Sequence, residues 1–297
     1  MIRVAAWQYP IERVAQLAAW RDKLDAGVAA AAAAGAGLLV VPEYAAMELT
    51  AALPADAQAT LAGQLAGLQP LYPAYVAAYA DAARRHRIAI VGGSFPVERA
   101  PGVYVNRLVV HGAAGGATTV DKLQMTRFER ERWGISAGAG QVVIELPALD
   151  GLRLGVAICY DAEFPLIARR LAAAGADLLA VPSCTDALAG YYRVRVACQA
   201  RALENQCYVL QAPTVGDAPW SIAVDANVGA AALYAPPDQG FPDDGIVAIG
   251  PLSQPHLLIA ELDRARVAHA RADGAVLGHR DWDLPGHVQG EVARAAL

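Results

Sequence analysis

Three residues at the ends of strand-like runs set the chemistry open to this chain. Cys159 closes Arg153-Leu-Gly-Val-Ala-Ile-Cys159, Glu43 closes Leu38-Leu-Val-Val-Pro-Glu43, and Lys122 closes Thr118-Thr-Val-Asp-Lys122. Amide cleavage needs a nucleophile, a proton carrier and a cation or N–H donor for the oxyanion. A thiol attacks well once its proton is removed. A carboxylate at a strand end in a partly closed pocket gains proton affinity and can take that proton. An ammonium can donate to the oxyanion, and the backbone N–H of Tyr160, next after Cys159, supplies a second donor. Each residue alone reads equally well as packing or as surface charge, since cysteine is among the most buried residue types. Together they make an amide-cleaving set.

These residues must be delivered by alternating strands and helices. A strand over residues 2–8 leads to a helix over 11–34 and to the strand that ends at Glu43. Residues 57–87 read as helix, broken near Pro70 and Pro73, and 88–94 as the next strand. Segments 104–111 and 117–122 flank Gly112-Ala-Ala-Gly-Gly116, the signal of an antiparallel hairpin. Segments 141–146 and 152–159 flank the turn pair Asp150-Gly151. Helices over 164–174 and 191–205 alternate with strands over 177–181 and 208–212. Further strands fall at 230–234, 245–249 and 256–262. No linker or repeat interrupts the 297 residues, so one mixed α/β domain with two packed sheets and outer helices is expected.

Composition narrows the class. Hydrophobic residues make up 56% and charged residues 18%, enough for a large core. A net charge of −5 gives no case for nucleic acid or an anionic membrane as partner. The Ala/Gly-rich uncharged stretch between Asp25 and Glu43 is interrupted by Gly35 and Gly37 and is shorter than the ~20 residues of a membrane span. No basic-then-apolar leader precedes the first strand. Cys159, Cys184, Cys198 and Cys207 lack the spacing of a disulfide framework or a zinc site, which fits a reduced, cytoplasmic location. The six histidines show no ligand spacing and none accompanies Cys159 in a Cys–His motif. Gly138-Ala-Gly140 lacks the third glycine of a dinucleotide fingerprint. No metal or organic cofactor is expected.

The motifs Val41-Pro-Glu43-Tyr, Val120-Asp-Lys122-Leu and Ile158-Cys159-Tyr-Asp, with Ala200-Arg-Ala-Leu-Glu-Asn-Gln-Cys-Tyr-Val209, resemble the nitrilase superfamily of carbon–nitrogen hydrolases. The resemblance runs from the first strand into the final third. It implies a four-layer αββα sandwich that pairs with a second copy, with the tail from about 265 packing on the partner. It also implies Glu43, Lys122 and Cys159 as the catalytic set. A second carboxylate is implied between Lys122 and Cys159, to position Lys122 and the substrate. Phe128-Glu-Arg-Glu-Arg-Trp-Gly134 offers two, and the distance to Gly138 favours Glu131 over Glu129. Trp133, Tyr191, Tyr192 and Phe164 are candidate pocket walls, and Cys184 a pocket residue on a neighbouring strand. Arg193 and Arg195 are the nearest cations for a substrate carboxylate.

Cys159-Tyr-Asp161 is similar to the amidase and carbamoylase branches, whereas nitrile hydrolases tend to carry Cys-Trp-Glu. A small carboxamide is therefore the expected substrate. N-carbamoyl amines or amino acids, nitriles, and a binding protein that has lost turnover are the alternatives. Asn227-Val-Gly-Ala-Ala-Ala232 departs most from the family pattern, with Ala where relatives often have Ser.

Overall fold

The computed structural model describes residues 1–282 and 294–295. The strand Ile2–Pro10 lies at its centre and is buried on both faces, so its run of apolar residues is nearly continuous. Its side chains divide by period two. Ile2, Val4 and Ala6 enter one core with Leu154, Leu178 and Leu210 of a second sheet. Ala5, Trp7 and Tyr9 enter another with Trp20, Leu24 and Tyr79 of outer helices. That split puts one sheet between a helical layer and the other sheet.

The first sheet pairs Ile2–Pro10 in parallel with Leu38–Val40, which pairs in parallel with Ala89–Val91. The antiparallel hairpin Val103–His111 and Ala117–Asp121 follows, as its glycine-rich loop predicts. His256–Leu262 pairs antiparallel with Ile2–Pro10 on the other side. The second sheet runs Tyr208–Asp217, Leu178–Ser183, Leu152–Val156 and Ile144–Leu146. A short parallel pairing of Tyr9 and Pro10 with Thr214 and Val215 joins the two sheets. Helices Leu17–Ala33 and Tyr72–His86 cover one outer face. Helices Pro165–Ala173 and Leu188–Asn205 cover the other. The four layers are the expected αββα sandwich.

Local chemistry accounts for the boundaries. Asp150 and Gly151 both take positive φ (52° and 67°), the geometry of a tight hairpin turn. The first helix begins at Leu17 rather than at 11, because Ile11 still extends the strand by donating to Val215 O at 3.0 Å. Strand Phe95–Ala100 was missed: its Pro96 and charged outer half weaken the strand pattern, but it pairs at the sheet edge, where proline is tolerated.

Part of the tail expected on a partner lies against its own chain. Val267 and Ala270 of helix Arg264–Asp273 are buried, and the Arg271 guanidinium donates to the carbonyls of Ala176, Asn205 and Gln206. Residues 283–293 and 296–297 lie outside the described residues. Among the described residues, no helix is long and apolar enough to cross a membrane.

Candidate active site

Glu43, Lys122 and Cys159 come together at one cavity of ≈ 360 Å³. Glu43 sits three residues past strand Leu38–Val40, where the chain leaves the sheet. Tyr44 then takes a left-handed conformation (φ 53°), and its N–H donates to Ser94 Oγ at 2.8 Å, turning the chain into Ala45–Ala52. Lys122 ends the hairpin. Its N–H donates to Asn106 O at 2.9 Å, and its carbonyl accepts from Gly138 N at 2.7 Å. A Cβ at Gly138 would meet the Asp121 Cβ at 2.6 Å, so only glycine allows that approach. Cys159 begins a single tight turn, Cys159–Glu163, at φ 49°. A non-glycine residue there costs on the order of 1–3 kcal/mol, a strain typical of functional turns.

The side chains form one hydrogen-bonded set, almost wholly buried. Lys122 Nζ donates to Glu43 Oε1 at 2.8 Å and to Glu129 Oε2 at 2.6 Å. Glu43 Oε1 also accepts from Asn106 Nδ2 at 2.9 Å, and Oε2 from the backbone N–H of Cys184 at 3.0 Å. The Cys159 thiol lines the same cavity as Glu43, and its Sγ is 3.8 Å from Cys184 O. Glu129 is saturated. It accepts from Lys122, from Tyr44 Oη at 2.7 Å, and from the N–H and hydroxyl of Thr126 at 2.8 and 2.9 Å.

The two carboxylates therefore differ in character. Burial raises the proton affinity of both. For Glu129 the charge of Lys122 and the surrounding donors outweigh burial, and it stays a firm anion below the usual range. For Glu43 burial dominates; Lys122 opposes it, Glu129 reinforces it, and its pKa rises to about 7. Lys122 is cationic, since its two carboxylates overcome burial. Burial and the nearby Glu43 push the Cys159 thiol well up despite Lys122, so at rest it keeps its proton.

Glu131 does not belong to this set. It is 45% exposed and pairs with Arg127 at 2.7 Å. Residues 129–133 form one short helical turn, where positions two apart do not share a face. Glu129, the alternative, holds Lys122. Trp133 lines the cavity and packs on Tyr44 with ring centroids 4.6 Å apart. Cys184 and Tyr160 also line it. Cys184 contributes chiefly its N–H to Glu43; burial pushes its own thiol up to about 12. Among the described residues, no acceptor engages the Tyr160 N–H. Phe164 packs edge-on against Tyr160, while Tyr191 and Tyr192 do not line the cavity. Arg193 also lines the cavity, 3.5 Å from Glu163, and Arg195 packs over Tyr192.

Sequence reasoning missed Tyr44, Asn106 and Asn227. Asn106 carried a signal, a polar residue in the middle of the buried strand Val103–His111. Asn227 donates to Gly216 O and Val224 O and accepts from Cys184 Sγ at 3.4 Å. It thereby fastens the cavity wall at residues 222–226 to the strand end that bears Cys184.

Comparison with known proteins points the same way. A family model described as carbon-nitrogen hydrolase matches residues 3–272. A probable hydrolase, YhcX, of Bacillus subtilis is 31% identical over 280 residues, covering 94% of this chain and 53% of that protein. Human deaminated glutathione amidase is 32% identical over 136 residues, 46% of this chain and 38% of that protein. The chain spans about half the length of the curated relatives it matches. A crystal structure of an amidase from Nesterenkonia sp. shares the fold, with a TM-score of 0.69 at 24% identity over 95% of this chain and 96% of that one.

Proposed function

The chain belongs to the carbon–nitrogen hydrolase family, and from that premise we propose that it hydrolyses a small carboxamide through a thioester on Cys159, releasing ammonia. One observation carries this reading. An ammonium has three N–H donors, and Lys122 commits one to Glu43 and one to Glu129. The third is left for an acceptor beside Cys159.

Glu43 takes the thiol proton as Sγ attacks the amide carbonyl. The third Lys122 donor and the Tyr160 N–H hold the oxyanion. Glu43 returns the proton to the amide nitrogen, the C–N bond breaks and ammonia leaves. A water then gives a proton to Glu43 and attacks the thioester. The acid product departs and Cys159 regains its proton. A carboxylate with a pKa of about 7 suits both transfers, because it gives and takes a proton near neutrality. Glu129 stays ionised throughout and keeps Lys122 charged and in place.

The protein is also proposed to form a homodimer. Leu188, Tyr192 and Val196 recur at intervals of four on helix Leu188–Asn205, with Leu203 on the same helix and Leu166 on the adjoining one; all five are exposed. Exposed apolar residues aligned along one helix, rather than scattered singly, suit a contact with a second copy.

The test is ammonia release from a panel of aliphatic amides, ω-amides, N-carbamoyl amino acids and nitriles, with Cys159→Ala as blank. Turnover of an amide, absent in the blank, supports the reading. Turnover confined to N-carbamoyl compounds or nitriles replaces the substrate class. Silence, with Cys159 no more reactive to iodoacetamide than the other thiols, points to a binding protein.

A further inference from the structure

The oxyanion site is built from two chain segments, around Lys122 and around Tyr160, and one buried side chain joins them. Asp161 lies two residues after Cys159 and is 2% exposed. Its Oδ1 accepts from the backbone N–H of Gln124 at 2.7 Å and of Leu123 at 3.1 Å. Its Oδ2 accepts from Leu123 at 3.2 Å and from Ile158 at 3.3 Å. The first contacts fix the segment just after Lys122, and the last fixes the residue just before Cys159. The Asp161 N–H closes the turn on Ile158 O at 2.9 Å.

We propose that Asp161 is a positioning residue that sets the register between the Lys122 ammonium and the Cys159–Tyr160 turn, and so assembles the oxyanion site. The proposal rests on the roles given above to Lys122 and Cys159.

Three N–H groups converge on the carboxylate, and only an acceptor on both oxygens can satisfy all of them. An asparagine must point its NH2 at backbone donors on one side. Turned one way it keeps Leu123 and Gln124 and loses Ile158; turned the other way it keeps Ile158 and sets its NH2 against Gln124. Either way a contact that joins the two segments is lost, Ile158 in the first case and Gln124 in the second, where Leu123 keeps only its 3.2 Å contact. The charge is costly to keep. Burial outweighs the backbone donors and the nearby Lys122 and raises Asp161 to about 6. A carboxyl raised in the folded state stabilises the fold below its ordinary range, and that stability is lost as pH rises through about 6. At pH 8 the ionised group is thus a burden on the fold.

The measurement is Asp161→Asn at pH 8, with kcat, KM, melting temperature and the rate of Cys159 alkylation by iodoacetamide read on the same preparation. The expected result is a kcat reduced between about tenfold and a hundredfold, as for displaced reacting groups. KM should stay within a few-fold, the variant should remain folded at the assay temperature, and Cys159 should alkylate more slowly. Should the Asn variant not fold, Asp161→Ser, which keeps a shorter acceptor, carries the same readouts. An unchanged kcat, or a loss of activity matched by a fallen Tm, overturns the proposal. Absence of turnover in the wild-type protein across the amide panel would count against the hydrolase reading instead. The alkylation rates of wild type and variant would then still decide the role of Asp161: equal rates overturn it.

Discussion

Substituting Glu129 by Gln tests the division of labour between the two carboxylates. Glu43 and Glu129 flank a single nitrogen at 2.8 and 2.6 Å. At a separation of about 5 Å and an effective dielectric of about 20, one charge acts on the other with about 3 kcal/mol, or about two pKa units. Removing the Glu129 charge takes away one of the two influences that raise Glu43, while Lys122 continues to lower it. The Glu43 pKa should therefore fall from about 7 to roughly 5. The acid limb of kcat/KM reports the base of the free enzyme. It should move down by one to two units in Glu129→Gln, even as kcat drops about tenfold from the loosened Lys122. The assay is ammonia release between pH 4.5 and 9.5 on the best amide of the panel. An acid limb that stays in place or moves up would refute the assignment of Glu43 as the titrating base.

Tyr44→Phe removes the hydroxyl that donates to Glu129. Loss of a hydrogen bond to a charged group is worth about 1.5–3 kcal/mol, so kcat should fall at least tenfold; a change under twofold would remove Tyr44 from the account. Asn227→Ala frees the wall at residues 222–226. KM for bulky amides should change several-fold while acetamide turnover holds; equal effects on both would show that the wall does not select size. Val196→Glu puts a charge in the apolar stripe, where Val196 is 62% exposed. Sedimentation should show monomers with an unchanged Tm, and a persistent dimer would place the interface elsewhere.

The fold was legible where periodicity and turn chemistry agree. The buried run at Ile2–Pro10, the glycine-rich hairpin and the Asp150–Gly151 turn each fix a pairing through local sequence. Phe95–Ala100 was not legible, because an edge strand tolerates the proline and charges that argue against it. In the site, Glu43 and Cys159 could be read because each ends an apolar run, and Lys122 because it ends the second strand of a glycine-looped hairpin. The choice between Glu129 and Glu131 could not, since it depends on which side of one helical turn meets Lys122. Tyr44 and Asn106 act through partners 85 and 63 residues away, a relation that only the assembled sheets create. Asp161 was read as a marker of branch, and its backbone partners at 123 and 124 come from another segment.

The central claim is a covalent acyl group on Cys159. It is tested most directly by acid-quenching the protein during turnover of its best amide and measuring intact and peptide masses. The expected result is a mass increase equal to the acyl group, carried on the peptide containing Cys159, absent from Cys159→Ala and lost in neutral hydroxylamine. Turnover without that adduct, together with activity retained in Cys159→Ala, would contradict the account.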